Sequence, residues 1–153
     1  MSYAAIRTAL AARLQQVSGV GKAHAWVRFT KSGHDSAEFR DLFVRNSRVN
    51  VWQITRTGFS DAQSAVDQNV VVRTHTLEVY SFISVQDSTG SENFHQDTLD
   101  HVADNLRAAP RNLGGACFSH SLVEVTSISR VMFYENVLCH EATLKLTVEE
   151  VLS

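Results

Sequence analysis

Residues Arg73 to Ala109 constrain the fold of this chain more than any other stretch. From Thr74 to Val85, one side carries Leu77, Val79, Ile83 and Val85, and the other carries Glu78, Tyr80 and Phe82. Successive side chains of a strand point to opposite faces, so this alternation predicts a strand with two distinct faces. The polar run Gln86 to Ser91, which contains Gly90, then turns the chain. Phe94, Thr98, Val102 and Leu106 follow at four-residue spacing, with Leu99 and Ala103 beside them. That stripe predicts an amphipathic helix. The unit is a packed β–α scaffold that carries no reaction chemistry of its own.

The rest of the chain fits around it. Ile6, Ala9, Leu10, Leu14 and Val17 recur at helical spacing, with Ser2 placed to cap the start and Ser18-Gly19 to stop it. Lys22 to Phe29 alternates as a strand, and Arg48 to Arg56 reads as another. Pro110 and Gly114-Gly115 end the second long helix. Ser119 to Tyr134 forms one broken strand or two. Leu138 to Leu152 alternates most clearly: Leu138, His140, Ala142, Leu144, Leu146 and Val148 oppose Glu141, Thr143, Lys145, Thr147 and Glu149. An apolar face set against a charged one marks an antiparallel sheet packed on one side. The expected fold is α+β, a mainly antiparallel twisted sheet with two helices packed on one face, in a single domain over residues 1–153.

Two segments resist this pattern. Thr30 to Ser47 reads as a long loop holding a short helix at Ala37 to Val44, with Phe39, Leu42 and Phe43 on one side. Thr57 to Asn69 is rich in polar and small residues (Gly58, Ser60, Asp61, Gln63, Ser64, Asp67, Gln68) and reads as a second long loop, with at most one helical turn. Long loops in small domains are commonly functional or disordered, so these two are the first candidates for partner contacts. Shortening Thr30–Ser47 is expected to harm assembly more than folding.

Composition narrows the function classes. At 153 residues and 44% hydrophobic, the chain has material for a core. A net charge of −2 argues against a dedicated nucleic-acid binder. No apolar run reaches the roughly 18 residues of a membrane span. The first residues lack a basic segment followed by an apolar one, so no signal peptide is expected. Cys117 and Cys139, the two cysteines, are expected to be free buried thiols in a reducing cytosol.

Catalytic and metal-binding arrangements find little footing. His95 and His101 lie six apart, off the spacing of helical zinc ligands. Cys139 and His140 are neighbours on a strand and point to opposite faces, and His140 reads as a satisfied core histidine. His120 lies near Cys117 in sequence, but no nucleophile elbow is present. Ser18-Gly19-Val20-Gly21 sits between helix and strand, the reverse of a phosphate-cradling order. No catalytic residue, metal or cofactor is therefore expected. The remaining cluster is Arg40, Arg45, Arg48 and Arg56 interleaved with Phe39, Phe43 and Trp52. Such interleaving suits nucleic-acid contact or a protein–protein interface, and the acidic balance favours the interface. An ordinary solvated face over a core stands beside both readings.

The order of elements carries a resemblance. A short N-terminal helix ends in Val17-Ser18-Gly19-Val20-Gly21-Lys22, and Val51-Trp52-Gln53-Ile54-Thr55-Arg56 follows. Next come His75-Thr76-Leu77-Glu78-Val79-Tyr80-Ser81-Phe82 and the helix Phe94 to Leu106. The chain closes on Cys139-His140-Glu141-Ala142-Thr143-Leu144-Lys145-Leu146-Thr147-Val148. This resembles the tail terminator (tail completion) proteins of long-tailed bacteriophages, of siphophage or Mu-like type. The resemblance implies a homohexameric ring on the head-proximal end of the tail tube. Such a ring ends tube polymerisation and offers a docking surface to the head–tail connector. It implies a virion protein made in the bacterial host cytoplasm, with tail tube protein, connector and its own copies as partners. DNA would be only a passing strand, and no membrane is involved. Another neck, head–tail joining or minor tail protein is the near alternative. A small ligand-binding or enzymatic α+β domain is the alternative of a different class.

Overall fold

The structure, a computed structural model, describes residues 2–31, 33, 35–134 and 136–152, with only the backbone of 129–133. In chain order the elements are α1 (Tyr3–Gln15), β1 (Lys22–His24), α2 (Ala37–Phe43), β2 (Val44–Arg45) and β3 (Arg48–Gln63). They continue with β4 (Val71–Ser84), a single 3-10 turn (Asp87–Thr89), α3 (Ser91–Ala108), β5 (Ser119–His120), β6 (Glu124–Tyr134) and β7 (Val137–Leu152). The strands form one sheet in the order β1-β3-β4-β7-β5, with β2 beside the start of β3 and β6 beside β7. Only β1 runs parallel to its partner β3; the other pairs are antiparallel.

The alternation in the sequence becomes the inside and outside of this sheet. The whole of β4 lies along β7, from Val71 opposite Leu152 to Ser84 opposite Cys139. Leu77, Val79 and Ile83 of β4 share a face with Ala142, Leu144, Leu146 and Val148 of β7 and with Trp52 and Ile54 of β3. α1 covers that face with Ile6, Leu10 and Leu14, and α3 with Leu99, Val102 and Leu106. Burying each of these side chains fully stabilises the fold by about 1.5–3 kcal/mol. The expected two helices on one face of a mainly antiparallel sheet are therefore present. Ser2 caps α1 as its position suggests, its Oγ accepting from the Ala5 N–H at 3.2 Å.

A tight polar joint holds the α1–β1 connection to β3. Asn50 Oδ1 accepts from the Gly21 N–H and from Trp52 Nε1, both at 3.0 Å, and Asn50 Nδ2 donates to the Gly19 carbonyl at 2.7 Å. A Cβ on Gly21 would collide with the Asn50 backbone, and one on Gly19, at φ +94°, with the Thr98 side chain. Only glycine allows the chain to pass this close.

Three expectations are corrected. The first concerns Lys22–Phe29, where the strand stops at His24. The Gln53 side chain takes the Arg28 N–H at 2.7 Å, so that donor does not enter a ladder. The second concerns Thr30–Ser47. Ser32 and His34 of its first stretch lie outside the described residues; the expected short helix is present as α2, and the remainder is mostly structured. Ser36 Oγ caps α2 by accepting from the Phe39 N–H at 3.1 Å. The β2–β3 hairpin turns on Asn46 and Ser47, both at positive φ, as a two-residue loop of this kind requires. Phe39 and Phe43 are fully buried with Val49, Val51 and Cys139 in a second, smaller core on the opposite face of the sheet. From Ala37 onward this segment is part of the fold. The third concerns Thr57–Asn69. β3 continues through Thr57 to Gln63 and pairs with β4 up to Gln63 opposite Val71, so the loop is reduced to residues 64–70.

Candidate functional site

Beyond Arg56, β3 and β4 leave the helices behind and project as a hairpin arm, with residues 149–152 of β7 along the other side of β4. Its strand residues Ser60 to Gln63 are exposed, and Val66 at the tip is 98% exposed. The tip is knitted by short-range bonds. The Ser64 N–H donates to the Val70 carbonyl at 2.8 Å, and Asp67 Oδ1 accepts from the Asn69 N–H at 2.9 Å. On its outer side β3 pairs with β2 at residues 48–49 and with β1 at residues 51–53. From Ile54 outward that edge has no strand partner among the described residues.

At the root of the arm four arginines alternate with three aromatic rings. Arg28 lies 5.1 Å from the Trp26 centroid, and Arg7 lies 5.6 Å from the same ring and 5.3 Å from Tyr3. Arg56 stands between Tyr3 at 4.4 Å and Phe59 at 4.8 Å, and Arg73 covers Phe59 at 4.6 Å. Trp26 and Phe59 are each about half exposed. Each such contact contributes about 0.5–1 kcal/mol at an exposed site.

Local geometry explains how the stripe assembles. Arg7 follows Tyr3 by four residues on α1, so the two share a helix face. Arg56 and Phe59 are three apart, which in a regular strand would place them on opposite faces. A bulge between Arg56 and Gly58 inserts one residue, leaving Arg56 opposite Leu77 and Phe59 opposite His75. Leu77 and His75 lie on one face of β4, so the bulge restores Phe59 to the side of Arg56. Arg73 is opposite Asp61 and donates to both its carboxylate oxygens at 2.7 Å, holding that carboxyl below the usual range.

Beneath the stripe lies a buried polar pair. His75 Nε2 is 2.9 Å from Glu150 Oε2, and His75 Nδ1 is 3.4 Å from Arg56 Nη1. A guanidinium can only donate, so Nδ1 accepts and Nε2 carries the proton given to Glu150. The pair anchors Arg56 from below while its faces meet the Tyr3 and Phe59 rings.

The seven sequence-derived candidates separate. Phe39 and Phe43 belong to the second core and Trp52 to the first, so these three are corrected to core residues with no surface to offer. Arg40 lies on the outer side of α2 and bonds the Asp35 carbonyl at 2.7 Å. Arg45 and Arg48 line a polar cleft of about 680 Å³ with Gln15, Asn50 and residues 17–21. Arg45 donates to the Gly21 carbonyl at 3.0 Å, while Arg48 donates to Gln86 Oε1 at 2.6 Å and stacks over Phe94. Arg56 alone of the seven joins the stripe. Its partners Tyr3, Arg7, Trp26, Arg28, Phe59 and Arg73 were missed because they come from three distant segments. The signal available was Tyr3 and Arg7 at helical spacing, and Phe59 and Arg73 on what proves to be one hairpin.

His75, His95, His120 and His140 and both cysteines are buried. Ser81 Oγ bonds His95 Nε2 at 2.9 Å, His95 stacks on His140, and His140 Nε2 bonds Ser91 Oγ at 2.8 Å. Burial, with His140 alongside, pushes His95 down to about 4. Burial pushes the Cys117 thiol up to about 11 and Cys139 up to about 12, so neither is a thiolate at neutral pH. Among the described residues no group of three or more His, Cys, Asp or Glu gathers as a metal site would require. No described helix is long and apolar enough to cross a membrane. No protein-family model matches the chain, and no curated protein matches it significantly.

Proposed function

We propose that this chain is a ring-building subunit that caps the head-proximal end of a bacteriophage tail tube, ends tube polymerisation and joins the tail to the head connector. The observation that carries the reading is the arm. It extends a packed body, leaves one long strand edge without a partner among the described residues and holds an arginine–aromatic stripe at its root. Exposed strand edges are natural templates for pairing with another chain. Arginine and aromatic residues are enriched where proteins meet. A contact between two different patches, repeated by rotation, closes into a ring. The resemblance in element order to tail terminators supplies the identity of the assembly, with the tail tube and connector as partners and the virion neck as its place. In this reading the protein has no catalytic role and takes no cofactor.

The near alternative is another neck, head–tail joining or minor tail protein, which would use the same arm. The polar cleft beside Arg45 and Arg48 favours the alternative of a different class, a small ligand-binding or enzymatic domain. Negative-stain microscopy of the purified chain, alone and mixed with polymerising tail-tube subunits, tests the proposal. Rings of about six subunits, and tubes capped at one end, are the expected result. A protein that stays monomeric in both conditions and leaves tube length unchanged would overturn it.

A further inference from the structure

We infer that, within the ring proposed above, the arginine–aromatic stripe of one subunit docks on a row of aspartates along α3 of the next copy. The inference rests on that ring reading and adds the identity of the two contacting surfaces.

The stripe gathers four guanidinium groups from Arg7, Arg28, Arg56 and Arg73. Among the described residues only Arg73 has a carboxylate partner, Asp61. The other surface carries the opposite sign. Asp97, Asp100 and Asp104 lie at spacings of three and four on α3, all exposed, on the side away from buried Leu99, Val102 and Leu106. Their single ion pair among the described residues is Arg107 with Asp104 at 2.5 Å. Like charges at these helical spacings disfavour one another, as opposite charges would attract. Each patch therefore repels itself in the lone subunit, and each supplies what the other lacks.

Within one chain the patches do not meet. No ion pair among the described residues joins the stripe to α3. α3 lies over the body of the sheet with its aspartates outward, whereas Arg56 and Arg73 belong to the arm and its root. A second copy of this chain brings both patches together, and complementary charge also rejects misaligned copies. The half-exposed Trp26 and Phe59 provide flat apolar area between the arginines that loses water on docking.

Native mass spectrometry of the full chain with paired charge reversals tests this. One variant carries Arg28→Glu and Arg56→Glu, another carries Asp97→Lys and Asp100→Lys, and a third carries all four; circular dichroism and thermal melting confirm that each is folded. Each double variant is expected to raise the concentration needed for half-assembly by roughly a hundredfold or more, since like charges then face each other across the contact. The fourfold variant, or an equal mixture of the two doubles, is expected to regain the ring. Raising salt from about 0.05 M to about 0.5 M should weaken the wild-type assembly. Rings that persist in both doubles, or doubles that the swap does not rescue, overturn this inference and leave the ring reading standing. A wild-type chain that forms no ring, with or without tail tubes, overturns both.

Discussion

The body and the arm are built on the same three strands, yet they are stabilised by different means. In the body, β3, β4 and β7 bury Trp52, Ile54, Leu77, Val79, Leu144 and Leu146 beneath α1 and α3. In the arm, the same strands continue as Thr57–Gln63, Val71–Thr74 and Glu149–Leu152 with no helix above them. There the order comes from ladder hydrogen bonds, the Arg73–Asp61 pair and rings sandwiched by guanidinium groups. Pairing alone carries a strand past the edge of its core once the register is set by the buried part. Apolar alternation is needed only where something covers the face. Folding stability is thus concentrated in the body, which leaves the arm free for the recognition role proposed for it.

Substitutions should separate these two roles. Trp52→Ala empties the centre of the main core and is expected to cost about 3–5 kcal/mol by urea unfolding. Phe43→Ala on the opposite face should cost a similar amount, because Phe43 packs between Phe39, His24 and Tyr134. A near-neutral Phe43→Ala would return the Thr30–Ser47 segment to the status of a dispensable loop.

The pH dependence should also come from the body. His95 ordinarily titrates near 6.5, and burial lowers it to about 4 in the folded state. The unfolded chain therefore takes up the proton first as pH falls. Stability from this group is complete above about pH 6.5 and is lost progressively toward pH 4, by up to about 3 kcal/mol. Burial lowers His24 as well, which adds to the same trend. Unfolding free energies measured across this range should flatten in His95→Gln, which can still bond Ser81. A profile identical to wild type would remove His95 as the cause.

Asn50→Ala leaves the buried Gly21 N–H and Trp52 Nε1 without their acceptor and should cost about 1–3 kcal/mol in the same assay. The smallest folding effect is expected in the arm. Phe59→Ala removes two exposed cation–π contacts and should lower stability by about 1–2 kcal/mol at most. A loss as large as that of Trp52→Ala would mean that the arm folds as part of the core.

Much of the body was legible because burial writes itself into sequence. The alternation of β4 and β7, the four-residue stripe of α3 and the Ser2 cap each follow from one covered face or one unpaired helix end. The arm was not legible for the converse reason. Thr57–Gln63 has no covered face to impose a period, and the bulge at Thr57 shifts what period remains. The three aromatic candidates were misplaced on the same ground. Phe39, Phe43 and Trp52 look like an interface beside nearby arginines, whereas their burial depends on strands and helices far away in sequence. Arg56 was found, but Tyr3 reaches it, and Arg7 reaches Trp26, only through the fold.

The most direct test of the division between body and arm is native mass spectrometry of the full chain carrying Arg56→Glu and Phe59→Ala, with its melting temperature measured in parallel. The account predicts rings of about six subunits for wild type, and a folded monomer melting within a few degrees of wild type for the variant. A variant that still forms the wild-type ring, or one that loses the ring only because it no longer folds, would contradict it.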